Sequence, residues 1–215
     1  MLKVNEIFYS LQGESTHAGR PCVFVRLTGC NLRCTYCDTE YAFHEGRNMS
    51  IDDILAEVRS YDCRLVEVTG GEPLMQPESI ELMVRLVAEG YEVMLETGGS
   101  LPVDKVHPEV IKIIDFKTPS SGMAEKNLWS ILDHLAPHDE IKFVIGDRKD
   151  FEWACTKVAE HDLARDHHVL FSPVHEDLSP VLLAEWLLNN PLQKGRVRLQ
   201  FQLHKQIWGP EARGV

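Results

Sequence analysis

The chain has 215 residues, 44% apolar and 26% charged, an ordinary globular composition that excludes disorder, collagen and coiled coil for the chain as a whole. At this length folding removes roughly 70–75% of the unfolded surface from water, so a single domain over residues 1–215 needs no staples. A net charge of −11 argues against a stable nucleic-acid complex, and no apolar run approaches the roughly 18 residues of a membrane span.

At the amino end, Met1, Leu2 and Lys3 lead into no apolar signal core, so a cytoplasmic protein is expected. The first predicted strand is the apolar run 23–27. A helix is predicted over 51–60, where Ser50 stands as N-cap with Asp53 three positions on. Strand 65–69 and helix 78–89 follow, and Gly90 is placed to end that helix at C′. Strands 92–96 and 111–116, helix 129–134 and strand 141–145 come next. Asp150 reads as the N-cap of a helix reaching residue 160. Strand 169–171, helix 180–188 and strand 197–201 complete the series. Strands separated by helices imply βα units, hence a parallel sheet with right-handed crossovers. Such sheets bind ligands at the carboxyl ends of their strands.

Cys30, Cys34 and Cys37 fall directly after the strand 23–27. They lie on a loop directly after a strand, and three thiols within eight residues there indicate a ligand role. Tetrahedral zinc would need a fourth ligand, with His17 and His44 as candidates. A four-iron cluster held by three thiolates leaves one iron free to coordinate a small molecule. Redox or structural thiols are the remaining alternative. Cys22, Cys63 and Cys155 are isolated beside apolar runs and read as small core hydrophobes. At the end of strand 65–69 stand Gly70, Gly71, Glu72 and Pro73, where two residues without Cβ let the backbone approach a ligand. Glu72 offers a carboxylate that an ammonium group can donate to. Asp115 and Lys117 close the strand 111–116 in the same manner.

The cysteine spacing, the aromatic Tyr36 before the third cysteine and the Gly70–Pro73 turn together resemble the radical S-adenosylmethionine superfamily. That resemblance implies a 4Fe–4S cluster on the three cysteines. It also implies an open iron that chelates the methionine amino and carboxylate groups, and a 5′-deoxyadenosyl radical that abstracts hydrogen from the substrate. The implied fold is α/β, an incomplete barrel of about six parallel strands. Within the superfamily, Leu11, Gln12, Gly13 and Glu14 near the start, Asp38 and Thr39 after Cys37, and Trp208, Gly209 and Pro210 near the end resemble the 7-carboxy-7-deazaguanine synthase family. That family belongs to queuosine and 7-deazapurine biosynthesis. It converts 6-carboxy-5,6,7,8-tetrahydropterin to 7-carboxy-7-deazaguanine with loss of ammonia, uses S-adenosylmethionine catalytically and requires magnesium.

Position by position, the resemblance implies substrate contacts at Leu11, Gln12, Gly13, Arg26, Thr69 and Pro210, with Arg26 receiving the substrate carboxylate. It implies S-adenosylmethionine contacts at Tyr36, Cys37, Asp38, Gly71, Glu72, Lys117 and Ser172, and magnesium on Thr39. A homodimer and an electron donor such as flavodoxin or ferredoxin are expected with it. The cluster loop covers residues 28–40, and a tail over 202–215 is expected to close the site, docked by the apolar side chains of Ile207 and Trp208. A glycyl-radical activase, which shares the cysteine spacing, and a non-catalytic iron–sulfur or zinc protein are the alternative readings.

Overall fold

Short apolar runs with β-branched residues pair most easily as buried parallel strands, and seven of them do so in series. The computed structural model describes residues 1–215, except the side chains of Gln193 and Lys194. Its strands are β1 (Leu2–Leu11), β2 (Pro21–Leu27), β3 (Arg47–Met49), β4 (Leu65–Gly70), β5 (Glu92–Thr97), β6 (Ile111–Phe116), β7 (Glu140–Ile145), β8 (His168–Pro173) and β9 (Val197–Leu199). The helices are α1 (Ile51–Arg59), α2 (Glu78–Ala88), α3 (Arg148–Glu160), α4 (Leu163–Asp166), α5 (Pro180–Leu188) and α6 (Leu203–Ile207). One sheet runs β3-β1-β2-β4-β5-β6-β7-β8-β9, parallel from β2 to β9 and antiparallel where β1 joins β2 and β3. With β3 and β9 at its two edges, the sheet does not close.

The expected α/β architecture is therefore present, with one more parallel strand than the six or so anticipated and an antiparallel pair added at the amino end. Strand β1 escapes the sequence pattern for a physical reason. Its register shifts between Val4 and Glu6, so the alternation of inward and outward side chains slips midway. Strand β9 stops at Leu199, two residues short of expectation, and the segment 129–134 is a 3₁₀ helix.

The helix boundaries follow capping chemistry. Ser50 and Asp53 form a full capping box at α1. Helix α2 ends in a Schellman motif: the Gly90 N–H donates to Val87 and the Tyr91 N–H to Leu86, and Gly90 takes the left-handed conformation at φ +81°. The N-cap of α3 is Asp147, not Asp150. Asp150 turns inward instead, where it accepts from the backbone N–H groups of Ser120 and Gly146 and ties the β6 and β7 ends together.

Alternation along the strands sorts side chains onto two faces. The outer face meets the helices: Val66, Val68, Leu95, Ile114 and Phe143 pack with Leu55, Leu86 and Phe151 in the main apolar cluster. The inner face begins apolar, with Cys22, Phe24, Leu65, Met94, Ile111 and Ile113 forming a smaller cluster. Two residues further along each strand the inner positions become Arg26, Glu67, Glu96 and Asp115. The fold thus builds a polar hollow at the carboxyl ends of its parallel strands.

Candidate active site

That hollow is a cavity of about 670 Å³. Its rim carries the loop after β2, and Cys30, Cys34 and Cys37 all reach the wall. The three are free and half-buried. Burial pushes all three thiols up, Cys34 to about 11, so none is poised as a low-pKa redox nucleophile. His17 lies at the opposite end of the sheet, beside Glu92 at the start of β5, and His44 is not in the cavity wall. Among the described residues, no three His, Cys, Asp or Glu side chains converge on a single-ion site, which a tetrahedral zinc requires. Three thiolates on one short loop facing an open hollow fit a cluster that keeps one iron exposed.

The turn after β4 packs directly against this loop. A Cβ on Gly71 would collide with the Gly29 carbonyl and the Cys30 side chain, so only glycine permits the approach. The Gly71 N–H donates to Leu27 and the Glu72 N–H to Gly29, fixing the two segments together. Glu72 itself is placed otherwise than the sequence suggests. It is completely buried, is absent from the cavity wall, and accepts from the Thr97 hydroxyl at 2.9 Å, Gly98 N–H at 2.8 Å and Leu74 N–H at 3.1 Å. Its carboxylate braces the turn against the end of β5. Ser172 is likewise buried and outside the wall, although Val174 and His175 beyond it line the cavity.

The other expected positions converge. Leu11, Gln12, Gly13, Arg26, Tyr36, Asp38, Thr39, Thr69, Gly71, Lys117 and Pro210 all line the one cavity. Arg26 donates from Nε to Glu6 at 2.8 Å, while no described residue accepts from its two terminal nitrogens. One guanidinium thus makes an ion pair through Nε and keeps its terminal nitrogens for another partner. Tyr36 shares a hydrogen bond with Thr118, and Lys117 pairs with Asp115 at 2.9 Å. The Thr39 hydroxyl donates to Asp38 at 2.9 Å. Burial alone would raise Asp38, but the Lys205 ammonium at 2.7 Å, with hydrogen bonds from Lys205, Thr39 and Gln202, holds its carboxyl well below the usual range.

The tail reaches the cavity, but Ile207 and Trp208 neither line it nor dock the tail. Ile207 and Trp208 are 52% and 43% exposed. Polar contacts dock it instead: Leu203 N–H to the Gly13 carbonyl, Gln202 to Glu14 and Asp38, Lys205 to Asp38, and the Arg213 guanidinium 3.8 Å from the Tyr41 ring centre.

The sequence pattern singled out Glu14 and Asp115 but not the Glu67, Glu96 and Lys142 that complete the floor; all five face the cavity, drawn from β4, β5, β6, β7 and the segment after β1. The readable signal was a single charge at an inward position of an otherwise apolar strand, as with Glu67 between Val66 and Val68.

Comparison with known proteins agrees with this geometry. Residues 24–115 match the radical SAM superfamily. The chain is 48% identical to the 7-carboxy-7-deazaguanine synthase of Chlorobaculum tepidum, over all of this chain and 97% of that one. It is also 48% identical to the synthase of Koribacter versatilis, over the full length of both. In fold it resembles the crystal structure of QueE from Escherichia coli, with a TM-score of 0.73, 23% identity and 93% of each chain covered. The crystal structure of Streptococcus suis SuiB bound to S-adenosylmethionine is more distant, with a TM-score of 0.52 and 12% identity over 81% of this chain and 45% of that one. Full-length identity near one half, together with the three-cysteine cavity, makes this chain a member of the 7-carboxy-7-deazaguanine synthase family of radical SAM enzymes.

Proposed function

We propose that the chain converts 6-carboxy-5,6,7,8-tetrahydropterin to 7-carboxy-7-deazaguanine with loss of ammonia, as one domain over residues 1–215 whose loop 28–40 and tail 202–215 bound the site. The observation that carries this reading is that one cavity joins the three-cysteine loop to an arginine with free terminal nitrogens. Cys30, Cys34 and Cys37 would hold the 4Fe–4S cluster, and Tyr36, Asp38, Gly71 and Lys117 would border S-adenosylmethionine. When bound, cluster and S-adenosylmethionine supply the one-electron chemistry that removes a hydrogen from the substrate.

The chain's own residues bind, orient and shield. Arg26 receives the substrate carboxylate with its free nitrogens, limiting the positions open to the reacting carbon. Leu11, Gln12, Gly13 and Thr69 form the wall against the ring. The Thr39 hydroxyl would give magnesium one hard oxygen ligand, the rest coming from water and the substrate carboxylate. The tail, with Pro210 in the wall, excludes water from a site where a carbon radical must be protected. Full-length identity to the synthases supports this reaction over the activase reading.

We place the enzyme in the cytoplasm as a homodimer reduced by flavodoxin or ferredoxin. No described helix is long and apolar enough to cross a membrane. Anaerobic reconstitution with iron and sulfide, followed by carboxytetrahydropterin, S-adenosylmethionine, magnesium and a reductant, should yield the deazaguanine chromophore. A reconstituted enzyme that cleaves S-adenosylmethionine yet leaves the pterin intact would refute the assignment.

A further inference from the structure

Lys142 sits in the middle of β7 with only 4% of its side chain exposed. Its ammonium lies 2.7 Å from Glu14, 2.5 Å from Glu96 and 3.5 Å from Asp115. The charged groups facing this point come from several elements, whereas β8, paired directly with β7, places the apolar Leu170 opposite Lys142. Glu14 belongs to the segment after β1, Glu67 to β4, Glu96 to β5 and Asp115 to β6, with Lys117 beyond Asp115. The tail side brings the neutral Gln200 and Gln202, both donating to Glu14, with His204 also in the wall.

A buried lysine retained for stability alone needs one partner, and an apolar pair of the same volume serves a fold as well. Lys142 instead gathers carboxylates from three elements, and each of them also lines the cavity. Glu96 spends one oxygen on Lys142 and offers the other to Thr69 at 3.4 Å, itself a wall residue. A reduced pterin ring presents several N–H donors along its rim, and a carboxylate accepts from them best when ionised.

Resting on the pterin reading, we infer that Lys142 is a positioning residue: it fixes the Glu14 and Glu96 carboxyl groups on the cavity wall as hydrogen-bond acceptors for the N–H rim of the substrate ring. Lys142 touches no substrate itself. Removing its charge leaves a group of carboxylates facing one another across a low-dielectric hollow, and they protonate or swing apart.

The test compares Lys142→Met and Lys142→Arg in the reconstituted enzyme with the pterin as varied substrate. Lys142→Met should raise KM for the pterin about tenfold and reduce kcat less. Its acid limb in kcat/KM should move to higher pH, because burial already pushes the Glu14 carboxyl up and the Lys142 ammonium that opposes this is gone. The cluster absorbance should stay as in the wild type, which shows that the variant is folded around its cysteine loop. Lys142→Arg keeps the charge and alters the reach, so it should show an intermediate KM with the acid limb unmoved. If Lys142→Met does not fold, Lys142→Arg decides: unchanged KM overturns the inference. With both variants folded, an unchanged KM and acid limb in Lys142→Met overturn it. The two possible failures are separable. A wild type that makes no deazaguanine refutes the proposed reaction, whereas an active wild type with an indifferent Lys142→Met refutes only the role of Lys142.

Discussion

The two faces of the parallel sheet use the same strands for opposite ends. On the outer face, β4 through β7 present Val66, Val68, Leu95, Ile114 and Phe143, all fully buried against helices. On the inner face the same strands present Glu67, Asp115 and Lys142, buried but charged or titratable, with Glu96 partly exposed to the cavity. Burial of apolar area stabilises, while burial of a charge costs free energy unless it is paired. The outer face therefore carries the stability of the sheet while the inner face carries the site, and separate measurements on the two faces should dissociate.

The largest dissociation belongs to the cluster loop. Cys30→Ala, Cys34→Ala or Cys37→Ala should abolish turnover and bleach the iron absorbance of anaerobic protein while the apoprotein melts near its wild-type temperature. A bleached variant that also unfolds would make the loop part of the core, against the separation. Cys22→Ala, Cys63→Ala and Cys155→Ala should keep the colour.

On the outer face, Phe143→Ala leaves a hole between Phe116, Phe171 and Trp153 and should cost about 3–5 kcal/mol in urea unfolding. What remains folded should keep its KM for the pterin. Loss below about 1 kcal/mol would mean that the aromatic layer is not what holds the sheet.

Arg26→Lys keeps the charge and loses the fork, so product formation should fall by roughly ten- to a hundredfold while S-adenosylmethionine cleavage persists. Unchanged pterin kinetics would show that the substrate carboxylate binds elsewhere.

The smallest expected effect is a pH dependence at Glu67. Burial, followed by the neighbouring Glu96 charge, pushes its carboxyl from the ordinary 4.5 up to about 8. A group bound more tightly to its proton in the folded state contributes stability at low pH. That contribution is lost as pH rises from the unfolded value near 4.5 through about 8. Glu67→Gln, which is neutral throughout, should therefore melt higher than the wild type at pH 9, with the gap closing toward pH 5. A gap that is constant with pH would mean that Glu67 does not titrate in this range.

Much of this fold was legible because its signals are local. Apolar runs alternate with amphipathic stretches, Ser50 and Gly90 punctuate their helices, and three cysteines in one loop admit few chemistries. What was not legible depended on contacts distant in sequence. The Glu72 carboxylate looks available in the chain, but Thr97 at the end of β5 and Gly98 just beyond it donate to it. Trp208 looks like an anchor, but the tail's own polar partners, Asp38 and Gly13, lie far back in the chain and hold it without burying the indole. The shift of register in β1 hid a strand, and Asp150 resembled a cap because spacing alone does not separate it from Asp147.

The central claim is that substrate and cluster meet in the one cavity on the inner face. An anaerobic crystal structure of the reconstituted enzyme with S-adenosylmethionine and carboxytetrahydropterin tests it most directly. The account predicts the substrate carboxylate within hydrogen-bond distance of the Arg26 terminal nitrogens, its ring against Glu14 and Glu96, and iron on Cys30, Cys34 and Cys37. A pterin bound outside this cavity, or one whose carboxylate faces away from Arg26, would contradict it.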